Sequence, residues 1–200
     1  MMRPRITLLA LAILAGCGHS PPTHFFTLDP AKPVRAPQRA TGAPVQIDIV
    51  HLPPELDRLS MVRERGSGEL QIDDQNRWGG QLSDLIRQAL AQDLAARLSP
   101  GSVILPDAPA PPATRTMAVD IVTFRPDASG TVTLDASWTL LDSGSGKPVL
   151  RRPVHLTDTA PAQTPDAQAT AMSRLLGDMA DEIARVLASG GSAPTPRSAP

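Results

Sequence analysis

Cysteine is nearly missing from this chain: Cys17 is the only one in 200 residues. A lone cysteine excludes an internal disulfide framework. Tyrosine is absent, and aromatics amount to two Trp and three Phe. Rows of stacking platforms for nucleic-acid bases or sugar rings are therefore excluded, and the core must come from Leu, Ile, Val, Ala and Met. No charge dominates, with a formal net charge of −1. That balance gives no electrostatic footprint for nucleic acid or an anionic lipid surface. The four histidines, His19, His24, His51 and His155, include no i, i+4 pair, so no helical zinc motif is present. Gly-x-Ser-x-Gly, the elbow of many hydrolases, is absent as well.

What is present begins at the N-terminus. Arg3 and Arg5 form a short positive region, followed by an apolar run from Ile6 to Ala15. This run suits the h-region of a secretory signal and falls short of the ~20 residues that span a bilayer. Leu14-Ala15-Gly16-Cys17 then has the pattern of a bacterial lipobox. The small residues admit a signal peptidase, and the thiol of Cys17 is the atom that a diacylglyceryl group alkylates. The expected signal peptide is 1–16, and the mature chain starts at Cys17 with a charge near −3 once Arg3 and Arg5 are gone. Two or more acyl chains hold a protein stably at a bilayer, where one does so only marginally. Gly18 stands where enterobacterial lipoproteins retained at the inner membrane carry Asp, so the expected destination is the outer membrane, periplasmic face.

Residues 17–44 are expected to be a proline-rich tether, with Pro21, Pro22, Pro30, Pro33, Pro37 and Pro44 blocking regular pairing. His24-Phe25-Phe26-Thr27-Leu28 interrupts it as a short strand that docks on the domain. Residues 45–189 carry the regular pattern, and 190–200 are a Ser/Ala/Pro-rich tail. Val45, Ile47 and Ile49 alternate with Gln46 and Asp48, which predicts a half-buried strand. Arg58 to Arg65 and Glu69 to Asp73 predict a hairpin closed by Gly66-Ser67-Gly68. Leu82, Leu85, Ile86, Ala89, Leu90, Leu94 and Leu98 predict an amphipathic helix, with Asp84, Arg87, Gln88, Gln92 and Arg97 toward water.

Val103 to Leu105 is a short strand. Met117 to Phe124, Thr131 to Leu141 and Pro148 to Thr157 form an antiparallel meander. Thr164, Pro165 and Asp166 open a second helix, whose buried stripe holds Met172, Leu175, Leu176, Met179, Ile183, Val186 and Leu187. The expected fold is α+β: a mostly antiparallel β-sheet with two amphipathic helices packed on one face. Ser143-Gly144-Ser145-Gly146-Lys147 hints at a phosphate loop, but Leu141 replaces its first glycine, and a turn is the better reading. Asp73-Asp74 with Asn76 matches half of a calcium loop and lacks its Gly and distal Glu. No metal, cofactor or catalytic constellation follows from these residues.

The mature domain resembles the ABC-type transport auxiliary lipoprotein family (PqiC-like). Phe25-Phe26-Thr27-Leu28 follows the lipidated Cys as an aromatic-aromatic-x-Leu stretch. Asn76-Arg77-Trp78 leads into the helix of Leu82, Leu85 and Leu90. Paired strands ending in Phe124 and containing Trp138, then a C-terminal helix, complete the likeness over residues 17–188. The resemblance implies a non-enzymatic subunit of an MCE-type envelope system that moves lipids or other hydrophobic molecules. Its implied partner is an MCE-domain (PqiB-like) protein, and homo-oligomers are expected. A pilotin or assembly chaperone for an outer-membrane complex is the alternative. Arg77 and Trp78 are candidate partner-binding residues. A core position is the other reading of Trp78, since tryptophan is mostly buried on average.

Overall fold

A computed structural model describes residues 21–66 and 68–190. The elements run β1 (His24–Phe26), β2 (Val45–His51), β3 (Ser60–Gly66), β4 (Glu69–Trp78), α1 (Leu82–Arg97), β5 (Val103–Ile104), β6 (Arg115–Pro126), β7 (Thr131–Leu141), β8 (Pro148–Thr159) and α2 (Pro165–Ala188). The class is α+β, as the hydrophobic periods predict.

Among the described residues, pairing is mostly antiparallel, as expected, but it is mixed and divided between two sheets. One sheet is ordered β5-β2-β6-β7-β8 and a smaller one β1-β4-β3. β2 runs parallel to both β5 and β6, and β1 runs parallel to β4. The pairs β3–β4, β6–β7 and β7–β8 are antiparallel. The reason is topological. Short loops reverse the chain through the meander, but the passage from β2 to its neighbours β5 and β6 includes helix α1, and a helical crossover returns the next strand in the same direction.

Both helices cover the inner face of the five-stranded sheet. α1 lies over β2 and β5, α2 over β7 and β8, and the helices touch each other. Alternation along β7 sends Val132, Leu134, Ala136, Trp138 and Leu140 into the core. Those side chains meet Ile86, Leu90 and Leu94 of α1 and Leu175, Leu176, Met179 and Ile183 of α2 in one continuous cluster.

Local chemistry fixes the helix ends. Thr164 Oγ1 accepts from Ala167 N at 3.3 Å, and Pro165 opens α2. Gln81, which precedes α1, makes no side-chain cap. Asp57, far upstream, does that work by accepting from Ser83 N at 3.1 Å. The 142–146 segment is a hairpin turn: Asp142 Oδ1 accepts from Gly144 N, Ser145 N and Ser145 Oγ, and Gly146 takes φ +64°. Those bonds hold the Asp142 carboxyl below its usual range. Asp73 likewise accepts from Gln75 N, Asn76 N and Asn76 Nδ2, so its oxygens shape a turn.

Candidate functional site

Cys17 lies outside the described residues. Residues 24–44 form a strap tied to the domain at several points, where a tether was expected. Phe26 O accepts from Gly79 N at 2.7 Å, extending the β1–β4 ladder. Leu28 is buried, and Asp29 N donates to Ser173 Oγ of α2. Gln38 N donates to Arg97 O at 2.8 Å, and Gln38 O accepts from Ser99 N at 2.8 Å. Thr41 caps the end of α2, its N and Oγ1 both donating to Leu187 O. The prolines stop the strap from continuing as a strand but stiffen it, so less entropy is lost when it docks. The residues between the prolines offer their N–H groups to the helices.

The centre of the strap is held by a buried charge cluster. Arg97 Nη1 donates to Asp93 Oδ1 at 2.9 Å, and Arg97 Nε donates to Asp181 Oδ1 at 2.8 Å. Ala31 N donates to the same Asp93 Oδ1 at 2.9 Å, while Ala31 O accepts from Arg97 Nη1 at 3.2 Å. The Asp93 side chain is 0% exposed and that of Arg97 3%. Burial pushes the Asp93 carboxyl up to about 6, against the pull of Arg97 and the Ala31 N–H. Asp93 Oδ2 has no hydrogen-bond partner. Gly177 of α2 admits the strap: a Cβ there would collide with the Cβ of Ala31 and crowd Arg97 Nη2.

Arg97 was expected to face water, and the structure buries it. The signal was in the spacing. Ile86, Leu90, Asp93, Leu94 and Arg97 share one helical face, so Asp93 and Arg97 are an i, i+4 ion pair placed on the apolar stripe.

Of the candidate partner residues, Trp78 is 2% exposed and packs among Leu56, Val62, Leu82, Phe124 and Met172. That is the core placement of the two expected, because the last residue of β4 points beneath α1. It leaves no ring face open to a partner. Arg77, one residue earlier, is half-buried and donates through Nε to Asp74 O at 2.9 Å. Its partner across the parallel ladder is Phe25, which is 68% exposed. Phe26 packs against the core, so only one of the two adjacent phenylalanines is satisfied inside the fold. Phe25 beside Arg77 is thus the open part of this site, and it lies next to the N-terminal entry of the strap.

Among the described residues, no three His, Cys, Asp or Glu side chains are gathered as metal ligands, and no helix is long and apolar enough to cross a membrane.

No curated protein matches the chain. Solved structures share its fold, two of them over most of both chains. An uncharacterized protein aligns over 82% of this chain and 98% of its own length with TM-score 0.69 and 19% identity. A protein from Xanthomonas campestris aligns over 84% of this chain and 94% of its own with TM-score 0.60 and 18% identity. The family described as ABC-type transport auxiliary lipoprotein component matches residues 26–184, from the second phenylalanine of the strap through nearly all of α2. The chain therefore belongs to the ABC-type transport auxiliary lipoprotein family.

Proposed function

We propose that this lipoprotein is the outer-membrane-anchored auxiliary subunit of an MCE-type, PqiABC-like transport system, serving as its docking or binding subunit. The observation that carries the reading is the family match over residues 26–184 behind a lipobox that ends at Cys17. The partner is an MCE-domain (PqiB-like) protein, and the cargo is a lipid or another hydrophobic molecule. Gly18, in place of Asp, supports the outer membrane as the site of anchoring. Phe25 and Arg77 are the residues assigned to docking: an exposed aromatic next to a guanidinium is the usual make-up of an interface anchor.

The subunit is also proposed to self-associate. β8 is one edge of the larger sheet, opposite the short β5, and Pro148 and Pro153 lie on it. Proline lacks the N–H that a ladder needs, so copies would meet through side-chain surfaces and not by adding strand to strand at β8.

Co-purification tests the reading. The lipidated protein should recover an MCE-domain protein from solubilised envelopes, and Phe25→Ala with Arg77→Ala should reduce that recovery without lowering the melting temperature. Recovery of an unassembled outer-membrane protein in place of an MCE protein would favour an assembly chaperone. Light scattering on the protein, alone and with the partner, tests self-association; a monomer mass in both would remove it.

A further inference from the structure

At the opposite end of the strap, the chain passes over a groove of about 350 Å³, within the ~300–1,000 Å³ range of small-molecule sites. Its lining is mixed: the apolar part is Leu140, Val149 and Leu150 from the sheet and Val186 and Leu187 from α2, and Thr41, Gly42 and Arg115 supply the polar part. Leu140 and Leu187 are buried, each 3% exposed, while Val149 stands at the rim at 58%.

Among the described residues, one cation lines this groove. Arg115, the first residue of β6, is fixed by three hydrogen bonds to backbone carbonyls: Nε to Ala43 O at 3.0 Å, Nη2 to Thr41 O at 3.0 Å and Nη2 to Ala43 O at 2.6 Å. These bonds engage Nε and Nη2. Nη1 and its two N–H donors make no hydrogen bond among the described residues. No carboxylate there pairs with Arg115, and burial alone moves its guanidinium down. Gly42 keeps the space beside it open. That glycine has φ +80°, and a Cβ on it would sit 3.4 Å from both Cζ and Nη1. Among the described residues the guanidinium is thus half-buried, fixed by backbone carbonyls and without a counter-ion, with the Nη1 donors unused beside the groove.

We propose that this groove binds the acyl chain of a free fatty acid, with its carboxylate on Arg115 Nη1. The apolar part of the lining takes the chain, and the uncompensated charge takes the head. Nη1 can give one charge-assisted hydrogen bond to a carboxylate oxygen and leave its second N–H for water, since the Nε and Nη2 donors are already used on backbone carbonyls. The groove exists whether or not an MCE partner docks at Phe25, so the two readings fail separately.

Three amphiphiles with one twelve-carbon chain separate charge from hydrophobicity: dodecanoate, dodecyltrimethylammonium and dodecyl maltoside. Each is titrated below its micelle concentration into the whole chain carrying Cys17→Ser, so that no attached lipid competes, and binding is followed by calorimetry. Dodecanoate should bind at one site at least tenfold more tightly than the other two. Val149→Glu adds a carboxylate at an exposed position on the rim. It should weaken dodecanoate at least tenfold and leave the melting temperature unchanged. Arg115→Lys keeps the charge but loses the fixed fork, and should weaken it less. Equal binding of all three amphiphiles, no binding of dodecanoate, or unchanged affinity in Val149→Glu would each overturn the site. Tighter binding of lyso-phosphatidylglycerol than of dodecanoate would overturn the carboxylate assignment.

Discussion

At the residue scale, the burial of Asp93 has a direction that can be measured. The fold raises the Asp93 carboxyl from a usual value of 3.8 to about 6, with burial the largest cause. The folded state therefore holds the proton over a window in which the unfolded chain has released it. Acidification from pH 6 toward pH 4 adds stability through this group, and above pH 6 that contribution is absent. Two pH units of separation correspond to at most about 3 kcal/mol. Asp178 shifts the same way, whereas the exposed carboxyls of Asp127 and Asp142 are held low and oppose it. Comparing wild type with Asp93→Asn isolates the one group. The advantage of wild type over Asp93→Asn should grow as pH falls from 7 to 4.5, read from urea midpoints; a difference independent of pH would mean that Asp93 is ionised throughout. Gly177 offers a steric test of the same contact. Alanine gains up to ~1 kcal/mol of helix propensity over glycine. Here its methyl would strike Ala31, and overpacking costs about 1–3 kcal/mol. Gly177→Ala should therefore speed tryptic cleavage after Arg35, an exposed strap residue. An unchanged cleavage rate would show that the strap is not seated on Gly177.

At the scale of elements, legibility followed period. β7 was readable from first to last residue, because alternation over eleven positions leaves one choice of face. Both helices were readable from their stripes, and Thr164 was found from its cap chemistry. The strap was read as a tether because proline removes the N–H groups that a pattern search counts. Its bonds are made by isolated residues to side chains and helix ends 60 to 150 positions away, which no local pattern records. Parallel pairing was missed for a related reason: nothing in a strand's own sequence fixes the direction of its neighbour. The core positions carry the heaviest predicted losses. Leu90, 0% exposed, and Trp78, 2% exposed, should lose about 2–5 kcal/mol on truncation to alanine. Thermal unfolding measures both, and a Trp78→Ala protein that melts like wild type would return that ring to the list of partner contacts.

At the scale of the whole molecule, the strap sets how far the domain stands from its anchor. If residues 17–44 were free, a contour approaching 100 Å would separate lipid and domain at ~3.5 Å per residue. With β1 locked on β4 from His24, only seven steps remain between Cys17 and the first strand, a reach of at most about 25 Å. A domain of this length has a radius of gyration near 15 Å and so is roughly 40 Å across. Protein density should therefore end within about 65 Å of the lipid head groups. Neutron reflectometry on the lipidated protein in a supported bilayer reads that thickness directly. Gly177→Ala should leave the layer thickness unchanged, because the contact it disturbs is at Ala31, downstream of the point where β1 fixes the chain. A wild-type layer that already extends well beyond 65 Å would mean that β1 detaches from β4 at the membrane, so that the pairing of His24–Phe26 with Asn76–Trp78 does not set the reach of the anchored domain.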